Sequence, residues 1–259
     1  MHRLALAVVA VLVACSGLAV APATAAGVYK VTLASSRSVA DVGQVTVLTG
    51  KVSGRGAGKK KVGVDVSTDG SAWKRLGTTT TTKTGKYTYK AKVASAGTTS
   101  YRVVVPRSKT VGKGTSKTVA LQSWRWLDLY DQPYLTGGGV VGRGAYETTT
   151  IGGGKPPAHT FAMGESSYLY WNLAQQCDQV VAQVGLGDGD QGETRTVRFE
   201  QSGDTTDVAV TGGEALKGFA DLDASAANSL FVSRPDDRYA FLVLPRAHCK
   251  VNTLPVAAD

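Results

Sequence analysis

The sequence predicts an all-β chain, and three observations carry that expectation. Apolar and β-branched residues alternate with polar ones at period two through much of its length. Turn signals rich in Gly, Asp and Pro separate those rows, spaced as packed sheets require. Helical periodicity of useful length is absent. Charge then divides the chain in two. Gly27 to Leu121 holds 18 Lys or Arg against three acidic residues, a net of +15, whereas Gln122 to Asp259 holds 10 basic and 17 acidic residues, a net of −7. The formal +9 of the 259 residues averages a cationic half and an acidic one, and the two are expected to meet different partners.

The first 26 residues read as an export signal: Arg3 gives the positive start, Leu4 to Ala14 the apolar stretch and Ala23-Thr24-Ala25 a small-residue cleavage site. Leu12-Val13-Ala14-Cys15 supports a competing reading, a lipobox that makes Cys15 a lipidated anchor. Later apolar runs such as Tyr239 to Leu244 are too short to span a bilayer, so no transmembrane segment is expected. The product is read as secreted, free outside the cell or associated with the cell wall. Export leaves Cys177 and Cys249 in an oxidising compartment, where a disulfide is expected. A zinc site using both cysteines and His248 is the alternative, and its spacing fits no structural zinc pattern.

In the basic half, Val45-Val47-Thr49, Val62-Val64-Val66 and Tyr87-Tyr89-Ala91 form three rows, with turns at Gly54 to Gly58, Asp69-Gly70 and Thr84-Gly85. About seven short strands follow. The segments VGQVTVLTGKV, TDGSAWKRLGTTTTTKTGKYTYKAKV and GTTSYRVVVP resemble bacterial immunoglobulin-like modules of secreted, cell-surface proteins, particularly of actinobacteria. The resemblance implies an immunoglobulin-like β-sandwich over residues 27–121, acting as a spacer or adhesive unit. It lacks the antibody-type pair of cysteines. Lys59, Lys60 and Lys61 sit in or beside a glycine-rich loop, and Lys86, Lys90 and Lys92 alternate with the tyrosines, so they project from one face. Read singly they are a solvated, edge-protecting face. Read together, a polyanion such as an acidic wall polymer is the expected partner. Nucleic acid is not expected, because export opposes it and no recognition helix or RNA-binding aromatic motif is present. Trp73, after its turn, reads as a core or edge residue before a sugar-stacking one.

The acidic half, residues 122–259, runs through Ser167–Leu173, Gln179–Leu186, Thr194–Glu200, Asp207–Val210, Ser229–Ser233 and Tyr239–Leu244 as β segments. Two packed sheets are expected. The order YLYWNL, Cys177, VVAQVGLGDGD, RTVRFEQSGD and an apolar pair ending in Cys249 resembles the NPCBM group of carbohydrate-binding modules. That resemblance, strongest from Trp171 to Asp188, implies a galactose-binding-like jelly roll and a glycan partner. No accompanying hydrolase domain is expected from these residues, and Tyr134 to Lys155 is glycine-rich and departs from the pattern. From the residues themselves, a sugar site needs an aromatic platform and a few fixed polar groups. Trp124, Trp126, Tyr130, Tyr134 and Tyr146 supply rings, with Asp128, Asp131 and Arg143 as companions; Trp126 and Trp171 also read as core. Asp188, Asp190 and Glu193 share a glycine-rich turn whose D-x-D-x-x-E spacing offers oxygens to Ca²⁺, or forms a solvated tip.

Catalytic patterns are sparse. Outside the export signal the histidines are His159 and His248, no G-x-S-x-G elbow occurs, and Gly137 to Gly142 matches G-x-G-x-x-G without a following helix. Paired carboxylates, Asp128 with Asp131 and Asp236 with Asp237, are the pattern a glycosidase uses and are equally common on solvated loops. The sequence therefore reads as a secreted, non-catalytic cell-envelope protein binding carbohydrate or an anionic wall polymer. The alternatives are a structural or adhesion protein whose second half binds another protein, and, further off, a hydrolase accessory fragment.

Overall fold

The computed structural model describes residues 27–139, 141–144, 146, 149–234 and 239–256, with the backbone alone for 217–221. The export signal with Cys15, and the Asp236–Asp237 pair, lie outside the described residues. The all-β expectation is met. The basic half contributes β1 (Lys30–Val31), β2 (Ala34–Ser35), β3 (Val39–Asp41), β4 (Val45–Ser53), β5 (Lys61–Ser67), β6 (Lys74–Thr80), β7 (Lys86–Lys92), β8 (Gly97–Val105) and β9 (Gly114–Thr115). After them comes a long β10 (Val119–Asp128), followed by a single 3₁₀ turn at Leu129–Asp131. The acidic half adds β11 (Leu135–Gly137), β12 (Val141–Arg143), β13 (Thr160–Met163), β14 (Tyr168–Asn172), β15 (Cys177–Gly185) and β16 (Thr194–Gln201). Its remaining strands are β17 (Asp204–Thr211), β18 (Lys217–Asp223), β19 (Ser229–Ser233) and β20 (Ala240–Cys249). No helix among the described residues is long and apolar enough to cross a membrane.

Each half packs its own core between sheets. In the first, β4 pairs with β1 and β2 on one edge and β7 on the other, while β5, β6, β8, β9 and β10 form the neighbouring layer. Leu48, Val52, Val62, Val64, Tyr87, Tyr101, Val103 and Leu121 are buried between them. The rows at Val62 and Tyr87 face this core as the alternation predicts, but the Val45 row faces outward and Leu48 and Val52 take its place. Gly50 belongs to the inward set because Tyr87 lies across it. A Cβ there would stand 2.4 Å from the Tyr87 hydroxyl, which donates to the Thr32 carbonyl. In the second half, β11-β14-β19-β16-β17 forms one sheet, and β10, β12, β13, β15, β18 and β20 face it. Trp171, Phe161, Phe199, Met163, Leu230 and Val232 fill the space between. Each fully buried aliphatic or Phe side chain of this kind contributes roughly 1.5–3 kcal/mol relative to exposure.

One strand serves both halves. Val119 to Ser123 of β10 pair with β8, and Arg125 to Asp128 pair with β20, so the change of charge at residue 122 falls inside a continuous strand. Across the same junction, Ala96 N–H donates to Asn252 Oδ1 at 3.1 Å, and Asp41 of β3 meets His248 of β20. Cys177 and Cys249 face each other across β15 and β20 and are disulfide-bonded, as the export reading expects and the zinc alternative does not.

Candidate functional site

A cleft of about 470 Å³ opens in the acidic half, built where three segments meet. β20 sets Phe241 opposite Ala162 of β13 and Gly185 of β15, and these strands rest on a small apolar group of Ile151, Ala162, Phe241 and Val243. β15 then turns through Leu186-Gly187 into a 3₁₀ turn at Asp188–Asp190, placing two carboxylates on the rim. Tyr146 stands edge-on to Phe241 with ring centroids 5.2 Å apart, and its hydroxyl oxygen accepts from the Ala162 N–H at 3.1 Å. The Tyr146 proton is left to donate, and burial raises the pKa of the phenol and keeps it protonated. Tyr239 begins the β20 approach with 54% of its surface exposed, offering an open ring at the mouth.

Asp188 is ordered from the opposite side. The N–H groups of Gly152 and Gly153 donate to its two oxygens at 2.6 and 2.9 Å, and Thr150 adds a side-chain hydrogen bond. These bonds, Thr150 first, hold its pKa below the ordinary carboxylate value, so it is charged at neutral pH. The cleft therefore joins aromatic walls to a fixed anion, a neighbouring carboxylate at Asp190 and the hydroxyls of Thr149 and Thr150.

Family models and curated proteins return no match to this chain. The site is defined by its geometry alone.

The structure distributes the sequence-predicted sugar residues over three places. Tyr146 alone reaches the cleft, where it joins Asp188 and Asp190, which the sequence offers either to Ca²⁺ or to a solvated tip. Asp131, Tyr134 and Arg143 gather around Tyr130 and His159. There the Arg143 guanidinium lies 4.2 Å from the Tyr130 ring centre, while Tyr134 packs on Phe161 and Trp171. Asp128 pairs with His159 Nδ1 there, and Asp131 brings a third ligand-type atom within 4.8 Å of both. Trp124 and Trp126 lie at the junction instead, with the His248 ring 5.4 Å from the first and 5.0 Å from the second. His248 meets Asp178 through Nδ1 at 2.8 Å and Asp41 through Nε2 at 3.0 Å. Trp171 is fully buried, and its indole N–H donates to the Leu129 carbonyl at 3.0 Å.

The D-x-D-x-x-E turn does not gather its three acids. Asp188 holds the Gly152–Gly153 turn and Glu193 pairs with Arg195 at 3.0 Å. Among the polyanion lysines, Lys86, Lys90 and Lys92 are exposed along one face of β7. Lys59 is in the loop with a left-handed backbone, Lys60 lies over the Tyr29 ring, and Lys61 opens the other sheet beside Arg75. Trp73 is half-buried under the Arg102 guanidinium, 4.2 Å away. Sequence reading missed Tyr239, Phe241, Thr149 and Thr150. The available signal was an aromatic at the very start of an apolar strand, where the ring is free to leave the core.

Proposed function

We propose that the chain is a secreted, non-catalytic cell-envelope protein whose cleft beneath Tyr239 binds a glycan and whose basic half associates with an anionic wall polymer. On this reading residues 27–121 are an immunoglobulin-like sandwich and residues 122–259 a jelly roll of the carbohydrate-binding kind that the Trp171 to Asp188 segment resembles. The observation that carries the proposal is the cleft itself. A pyranose presents C–H faces that stack on aromatic rings, and its hydroxyls need a few fixed polar partners. Tyr239 supplies an exposed ring, Tyr146 a donor hydroxyl, and Asp188 and Asp190 acceptors. Hydrogen bonds from sugar hydroxyls to an ionised, already oriented carboxylate are stronger than those between neutral groups. The volume of about 470 Å³ suits one or two sugar rings.

The test is a broad glycan screen of the mature chain, followed by titration of Tyr239→Ala, Asp190→Asn and Tyr134→Ala with the best ligand. Tyr239→Ala and Asp190→Asn are expected to weaken binding about tenfold, roughly 1.4 kcal/mol, and to return the glycan uncleaved. Tyr134→Ala should leave affinity unchanged while lowering thermal stability. A screen without any bound glycan transfers the cleft to the adhesion reading, in which the exposed Tyr239 anchors a protein partner.

A further inference from the structure

The outward face of the sheet built from β1, β2, β4 and β7 carries Lys30, Lys51, Lys86, Lys90 and Lys92, and none of its strands contains an Asp or Glu. Lys51 and Lys86 stand directly opposite each other, a like-charge pair that weakens a sheet. Nothing in this half offsets it, because its three carboxylates are engaged elsewhere. Asp65 pairs with Arg75 and Arg102, Asp69 accepts from Ser67, Ser71 and Ala72, and Asp41 meets His248. From Lys86 to Lys92 the charges extend along roughly 20 Å of strand. At the Lys51 and Lys86 end the row runs into a second cleft, of about 400 Å³, walled by the turns at Gly54, Gly58 and Gly85 and rimmed by Lys51 and Lys83. The backbones there touch too closely for side chains: a Cβ on Gly58 would lie 2.6 Å from the Lys83 carbonyl, and one on Gly85 2.3 Å from that of Val52.

We infer that this face is the docking track for a flexible linear polyanion, with one anionic group seated in the glycine-walled cleft between Lys51 and Lys83. The inference rests on the polyanion reading given above and assigns it a place. A chain of repeating anions matches charges set out in a line, and its binding removes the Lys51–Lys86 repulsion. Single-stranded nucleic acid fits less well, since base stacking needs aromatic platforms. Tyr87 and Tyr89 of β7 turn inward, their hydroxyls donating to the carbonyls of Thr32 and Leu76. A folded protein partner fits less well too, because the face offers no aromatic anchor of the kind that dominates protein interfaces.

The experiment titrates the mature chain with inorganic polyphosphate and, separately, polygalacturonate, at about 0.15 M salt and again near 1 M. Binding to either polymer is expected, and the two arms tell phosphate from carboxylate as the preferred charge. The K86E/K90E/K92E protein should lose at least about tenfold in affinity. K74E/K113E/K117E reverses as many exposed charges off this face and should lose far less. K51A/K83A should weaken binding while the rest of the track stays intact, and an unchanged affinity overturns the seat in the cleft. Near-UV circular dichroism and thermal midpoints close to wild type establish that the variants are folded. Equal loss in both triple variants overturns the track and keeps the polyanion reading, since net charge alone then explains binding. No binding of the wild-type chain to either polymer overturns both, and a wild-type dimer that K86E/K90E/K92E dissociates reassigns the face to the acidic half of a second copy.

Discussion

In the basic half the scarce carboxylates are the structural residues. Asp65, largely buried, draws Arg75 to 2.5 Å and Arg102 to 3.4 Å, and Asp69 organises the turn before Trp73. In the acidic half that part falls to the arginines. Arg198 makes a two-pronged bond to Asp207 at 2.8 and 2.9 Å, Arg143 covers Tyr130, and the buried Arg234 donates to the Met163 carbonyl at 3.2 Å. Asp65 in the first half and Arg234 in the second are thus minority charges buried in the architecture, while the majority charge lies at the surface, as lysines on β7 and as Asp188 and Asp190 on the cleft rim. On the proposed reading, binding uses the surplus charge of each half, and buried members of the minority serve the fold.

The largest effect should come from breaking the acidic half's core without touching either charged surface. Trp171→Ala removes a fully buried indole and one of the two hydrogen bonds that the Leu129 carbonyl accepts, leaving only that from the Gln132 N–H at 3.3 Å. A loss of about 5 kcal/mol is expected, the upper end for aromatic truncation because a hydrogen bond goes with the ring. Chemical denaturation measures it, and polyanion binding by the surviving basic half shows whether the two cores fail separately. Two coincident transitions would show instead that β10 couples the halves into one unit.

Next comes the covalent link. Cys177 and Cys249 are 72 residues apart, and closing a loop of that length stabilises by about 4 kcal/mol on the chain-entropy model. Cys177→Ser with Cys249→Ser, or reduction, should lower the denaturation midpoint accordingly. Intact mass after alkylation without reductant should show no modified thiol in the mature protein.

The period of the strands and the chemistry of single residues were legible in the sequence; the surfaces that strands share were not. Lysines alternating with tyrosines on β7 read correctly, because the pleat alone dictates opposite faces. β13 escaped notice since all four of its residues are buried, which removes any alternation. The apolar segment Tyr239–Leu244 ends before Pro245 in the sequence, whereas β20 runs on to Cys249. The strand continues through a bulge, where Leu244 takes a positive φ of 47° and the register with β15 shifts. The cleft depends on strand order: Tyr146 and Tyr239 are distant in the chain and meet only because β13 and β15 both pair with β20. For the same reason nothing local places His248 beside Trp124 and Trp126, and Trp126, which also reads as core from the sequence, is 40% exposed because it lies at this junction.

A smaller effect tests the claim that minority charges stabilise. Asp65→Ala leaves Arg75 and Arg102 side by side without their shared anion, although Arg75 is half exposed and turns to water readily. Solvent screening keeps the expected loss to about 1–2 kcal/mol, and added salt should reduce it further by damping the arginine repulsion. A salt-independent loss would place the effect in packing around Trp73 rather than in charge.

The smallest effect lies where the acidic half uses a cation that titrates. Asp128 accepts from the Tyr130 N–H at 3.1 Å with one oxygen and pairs with His159 Nδ1 through the other, while the imidazole stacks on the Tyr130 ring at 4.8 Å. The hydrogen bond to Asp128 raises the histidine above its ordinary 6.5, partial burial opposing it. A raised histidine stabilises the folded chain fully below its unfolded pKa, and that contribution disappears as pH climbs through the folded value. The side chains are part-exposed, 39% for His159 and 28% for Asp128, so solvent screening keeps the change in thermal midpoint between pH 6 and 8 slight, and it should shrink with salt. Asp128→Asn keeps an oxygen for the Tyr130 N–H and removes the charge, which separates the cap from the ion pair. Proton NMR of the His159 ring should show its titration moving down toward the ordinary value in that variant, with the pH dependence of the midpoint flattened. If the ring titrates at the same pH in both proteins, the Asp128–His159 pair carries no electrostatic weight and His159 is held by its stack on Tyr130 alone.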